Sequence, residues 1–180
     1  MRLIAAALVM VTAGLALAAG ELKPYAGGDT PTLELAALDG HLHRLGDYRG
    51  QVVLVNFWAS WCPPCREEMP SMQRLTDRLR GRPFAVLAVN IGEDAATVRS
   101  FLKESAVDFP ILLDIEGRAP GEWKVFAFPS SFLIGRDGRI RYTLYGALEW
   151  DAPEVVAVVE GLLGGSTPSS ALPPAGSETP

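Results

Sequence analysis

The chain has 180 residues, 48% of them hydrophobic and 21% charged, which is enough for one domain with a sizeable core and too little for two large ones. A formal charge of −5 argues against nucleic acid as a partner. Two cysteines, Cys62 and Cys65, are too few for a disulfide scaffold or a four-cysteine zinc site.

The first element is an address. Met1-Arg2 precedes an uncharged stretch at 3–19 with small residues at Ala16-Leu17-Ala18. That is the pattern of a secretory signal peptide. The alternative is an uncleaved anchor that tethers the protein to a membrane, although the stretch is short of the roughly 20 residues that span a bilayer. Both readings place the folded part outside the cytosol. At the other end, 166–180 carries four Pro and four Ser and is expected to be a disordered tail. The domain is therefore expected over 30–165.

Within it, Leu33-Glu34-Leu35 alternates, and Asp39-Gly40 signals a hairpin ahead of His41-Leu42-His43. The run 51–58 (QVVLVNFW) is continuously apolar and β-branched, as in a strand covered on both faces. A helix is expected over 64–79, with Met69, Met72, Leu75, Thr76 and Leu79 on one face. A second buried strand follows at 84–89, a helix at 95–102, a short strand at 111–113 and a short helix at 121–126. Strands at 131–134 and 140–144 flank Asp137-Gly138 as a second hairpin. Asp151, Pro153 and Glu154 read as the cap and first turn of a last helix ending at Gly164-Gly165. Alternating strands and helices closed by an antiparallel pair make an α/β fold with a central mixed sheet flanked by helices.

The chemistry lies in Trp61-Cys62-Pro63-Pro64-Cys65, between a buried strand and a helix. Unpaired N–H groups and the positive end of the helix dipole favour a thiolate there. The spacing brings Cys65 back beside Cys62, so Cys62 can attack a partner's disulfide and Cys65 can resolve the mixed disulfide. A structural disulfide over so short a loop constrains little. Haem attachment needs His after the second cysteine, where Arg66 stands. A zinc site using His41 and His43 lies outside the usual spacing, whereas copper contact through the two thiols stays open. Pro63 and Pro64 supply no N–H, so thiolate stabilisation is expected to be moderate and the dithiol a reductant. A disulfide oxidant or isomerase and a copper-delivering binding module are the rival functions. A peroxidase is disfavoured by the paired cysteine.

The segment 56–70 (NFWASWCPPCREEMP) resembles the active site of thioredoxin-fold proteins, most closely the extracytoplasmic TlpA-like reductases, including those serving cytochrome c maturation. Pro70 resembles the family's mid-helix proline. Asn90-Ile91-Gly92-Glu93 resembles the strand end that carries an acidic residue near the dithiol. Phe128-Pro129-Ser130 resembles the loop whose proline is cis, and Asp137-Gly138-Arg139-Ile140 the hairpin after it. The resemblance spans about 33–163. It implies a thioredoxin-like domain with an N-terminal hairpin and an inserted strand–helix segment around Trp123 and Lys124. It further implies no bound cofactor, a membrane thiol donor and a cysteine-containing client outside the cytosol. The cis turn would offer the Phe128 backbone to an extended client segment. Asn56 stands where cytosolic thioredoxins carry a buried Asp. A carboxylate assisting Cys65 is therefore expected elsewhere, at Glu93 or, second, Glu149. Trp61, Pro63, Pro64 and Phe128 are the expected client contacts, Trp58 a core residue, and Arg66 either a charge beside the thiols or a surface residue.

Overall fold

The computed structural model describes residues 21–103 and 105–164. The expected signal or anchor at 1–19 and the tail at 166–180 lie outside those residues. The strands are β1 (Lys23–Pro24), β2 (Glu34–Ala36), β3 (Leu42–Arg44), β4 (Val52–Trp58), β5 (Phe84–Ile91), β6 (Ile111–Asp114), β7 (Ser130–Ile134) and β8 (Ile140–Tyr145). The helices are α1 (Pro63–Arg78), α2 (Ala95–Leu102), α3 (Ala119–Glu122) and α4 (Pro153–Leu163).

Six strands form one mixed sheet in the order β1-β8-β7-β4-β5-β6. β4, β5 and β6 run parallel, joined by helical crossovers, while β7 pairs antiparallel with β4, and β8 with β7. The apolar run predicted to be buried on both faces is β4, every residue of which is buried. Val52, Leu54 and Trp58 face a core under α1 and α4. Val53, Val55 and Phe57 face a second core with Leu33, Trp123, Phe132 and Ile134. Asn56 is the polar exception on the α1 face.

The Asp39-Gly40 hairpin forms as expected, a separate two-stranded sheet of β2 and β3. It leans on β6 through the Ala37–Leu112 bridge. Three expectations shift. Lys23–Pro24, ahead of Thr30, pair with Thr143 and Tyr142 and extend the sheet edge. The short helix expected at 121–126 lies instead at Ala119–Glu122. Pro120 favours the first turn, and Lys124, with φ of 55°, leaves the helical region. Asp151 does not cap α4: Ala152 holds that place with no side-chain bond, and Asp151 turns to Arg74 at 2.6 Å. A charge-assisted pair with a guanidinium has displaced a local capping bond.

Candidate active site

The site grows from the end of β4. A residue before proline is pushed to extended backbone, and Cys62, preceding Pro63, has φ −94° and ψ 104°. Cys62 is thus the N-cap of α1, and the two prolines occupy positions where a helix has no use for their missing N–H. One turn returns Cys65 to it, and the two sulfurs are joined in a disulfide, with Cα atoms 5.3 Å apart. The Arg66 amide bonds the Cys62 carbonyl at 3.2 Å. The Cys62 side chain accepts no capping hydrogen bond from the first turn.

Both cysteines are buried, Cys62 at 4% exposure and Cys65 at 0%. Trp61 is the opposite, 65% exposed, with its ring edge-on to Phe128 at 6.0 Å. The Phe128–Pro129 peptide is cis. Pro129 leads into Ser130, which pairs with Phe57. Trp58 is wholly buried against Phe101. The Arg66 guanidinium lies over the Phe101 ring at 5.4 Å. With Pro63, Pro70 and Val107 it lines an open groove of about 550 Å³.

Glu93 sits just past β5. Its carboxylate accepts the Ser60 amide at 2.7 Å, the Ser60 hydroxyl at 2.5 Å and the Asn90 side-chain amide at 2.7 Å. These bonds tie it to the loop before Trp61. Glu149 is exposed and pairs with Arg74 at 3.0 Å, away from the dithiol. His41 pairs with Asp39, and His43 with the Tyr48 hydroxyl at 2.5 Å.

A buried carboxylate that the sequence reading does not single out is Glu68, one helical turn beyond Cys65 and 2% exposed. One of its oxygens, Oε1, accepts from the Asn56 amide at 2.8 Å. The other, Oε2, accepts from the Leu148 amide and the Trp150 indole, each at 3.2 Å. Burial pushes its pKa up to about 7 against the pull of those three donors. A signal existed: Cys65, Glu68, Met69, Met72 and Leu75 share one helical stripe, so Glu68 had to follow its neighbours inward. Adjacent Arg66 and Glu67 disguised it as a solvated position.

A disulfide between an N-cap cysteine and the next turn at the end of β4, beside the cis-proline loop that enters the neighbouring β7, defines the thioredoxin class of thiol-disulfide oxidoreductase. The chain belongs to the redoxin family, whose model matches residues 25–159. It is 37% identical over 122 residues to the thiol-disulfide oxidoreductase ResA of Geobacillus kaustophilus (strain HTA426), covering 68% of this chain and 70% of the relative. With ResA of Bacillus subtilis (strain 168) it shares 32% identity over 133 residues, 74% of each chain. Among solved structures, StoA of Bacillus subtilis is similar with a TM-score of 0.59 and 29% identity, over 67% of this chain and 92% of that one. A Chlorobium tepidum structure assigned as the thiol:disulfide interchange protein DsbE has a TM-score of 0.67 and 29% identity, over 81% and 99%. The chain is a thiol-disulfide oxidoreductase of the ResA and DsbE type, with Cys62 and Cys65 as its CxxC pair.

Proposed function

We propose that the protein works outside the cytosol as a reductant of protein disulfides, such as those arising where cytochrome c is matured. The observation that carries this reading is a fully buried Cys65 with a buried carboxylate, Glu68, one turn further along α1, whose pKa burial raises to about 7, where it can accept a proton near neutral pH. In the reduced protein the Cys62 thiolate attacks one sulfur of a client disulfide and expels the other as a thiolate. Cys65 gives its proton to Glu68, and its thiolate attacks the Cys62 sulfur. That attack breaks the mixed disulfide and forms the Cys62–Cys65 disulfide, and the client leaves with two electrons as a pair of thiolates that take their protons from solvent. A membrane thiol donor then returns two electrons and restores the dithiol.

The reducing direction is supported by the first turn of α1. Pro63 and Pro64 offer no N–H, and the Arg66 amide is engaged by a carbonyl. The Cys62 thiolate thus gains little, and a reduced form that gains little gives up electrons readily. Trp61, Pro63, Pro64, Phe128 and Pro129 form the surface offered to the client. Glu93 holds the loop that delivers Cys62. The location is supported by the apolar 3–19 stretch. Among the described residues no helix is long and apolar enough to cross a membrane.

Equilibration with glutathione tests the direction. A reductant settles nearer the about −270 mV of thioredoxin than the about −120 mV of a strong oxidant. A potential at the oxidising end would reverse the assignment.

A further inference from the structure

Asn56 is wholly buried on β4, and its two sides are unequal. Its Nδ2 donates to Glu68 Oε1 at 2.8 Å and to Ser131 Oγ at 2.9 Å. Its Oδ1, also buried, has no partner among the described residues. An unpartnered buried carbonyl is costly, and native interiors seldom keep one without a reason.

Which way the amide points is set by where a proton sits on Glu68. Oε2 faces two N–H donors, the Leu148 amide and the Trp150 indole, so an O–H there would meet hydrogen with hydrogen. The proton must go to Oε1. Oε1 faces the Asn56 amide, which in this orientation also presents N–H. A protonated Oε1 therefore needs the amide turned over, with Oδ1 accepting the new O–H. Ser131 accommodates either state, because a hydroxyl both donates and accepts.

We propose that Asn56 is a positioning residue whose side-chain amide turns over by about 180° as Glu68 Oε1 gains or loses its proton, so that one buried amide serves both charge states. The inference deepens the reading above, in which Glu68 takes the Cys65 proton. Among the described residues the hydrogen-bond partners of Asn56 and Glu68 carry no formal charge besides Glu68 itself. The Glu68 carboxylate meets Asn56 from β4 and the Leu148 amide and Trp150 indole from the segment before α4, while Ser131 of β7 bonds Asn56 and Ser71 of α1 bonds the Glu68 backbone carbonyl. Glu149 of that segment is turned out to Arg74. An amide with a donor end and an acceptor end thus reads the state of an acid placed on the helix.

The test is nuclear magnetic resonance of the intact oxidised protein across pH, following the Glu68 carboxyl carbon and the Asn56 side-chain amide together. Contacts between the Asn56 amide protons and the Ser131 β-protons are expected above the Glu68 midpoint and lost below it. Glu68→Gln fixes one pattern at every pH. Asn56→Ala, which removes a charge-assisted donor, raises the proton affinity of Glu68 by about tenfold. If Asn56→Ala does not fold, the wild-type contacts alone decide. Titration of Glu68 with unchanged Asn56 contacts, or no titration of Glu68 before unfolding, overturns the inference. Loss of the contacts on schedule, with disulfide exchange indifferent to Glu68→Gln, upholds it and overturns the role given to Glu68 in exchange.

Discussion

Glu93 is tied to Ser60 by two bonds, from the backbone amide at 2.7 Å and from the hydroxyl at 2.5 Å. The end of β5 thereby holds the loop two residues ahead of Cys62. Glu93→Gln keeps one accepting oxygen and turns an NH2 toward groups that were donors. The account expects a loss of about 1–3 kcal/mol in urea unfolding, with the pH midpoint of exchange unmoved. A moved midpoint with unchanged stability would make Glu93, not Glu68, the partner of Cys65.

Glu68 should leave its mark on stability as well. Its carboxyl is raised from 4.5 to about 7 in the folded protein. The folded state thus binds that proton more tightly than the unfolded chain does. The contribution is fully present below about pH 4.5 and is lost as pH rises through about 7. It amounts to about 3 kcal/mol across that window. Wild-type stability minus that of Glu68→Gln, measured by denaturant at each pH, should fall over the interval and level off above it. A flat difference would remove the titration.

Trp58 and Trp61, three residues apart, predict opposite outcomes. Trp58 is fully buried against Phe101, so Trp58→Ala should cost about 3–5 kcal/mol. Trp61 is 65% exposed, so Trp61→Ala should change stability by about 0.5 kcal/mol or less. Exchange with a protein client should fall about tenfold through loss of aromatic contact, while exchange with a small disulfide is spared. Equal losses on both substrates would make Trp61 a shield for the sulfurs rather than a client contact.

How far the sequence is legible differs by element. The run at 51–58 reads correctly because burial on both faces leaves no alternation, and the cysteines read correctly because a strand end and two prolines frame them. The hairpin at Asp39-Gly40 is a local matter and needs no tertiary knowledge. Lys23–Pro24 fails because a two-residue edge strand with a proline has no periodicity and exists only through pairing to Thr143 and Tyr142. Asp151 fails because Arg74, distant in sequence, outcompetes a capping bond. Glu68 fails for a different reason. Charge adjacent to charge reads as solvent-facing, and only the demand of buried Asn56 for a partner, or the stripe from Cys65 to Leu75, points inward. Asn56 itself takes no proton, yet its buried amide points to the buried carboxylate beside it.

The central claim is that Cys62 attacks and Cys65 resolves. Cys65→Ala, mixed in reduced form with a protein bearing one disulfide, should accumulate a mixed disulfide at Cys62 that mass spectrometry locates, while Cys62→Ala accumulates none at Cys65, which is wholly buried. Adducts at Cys65 forming as fast as those at Cys62, or none on either variant, would contradict it.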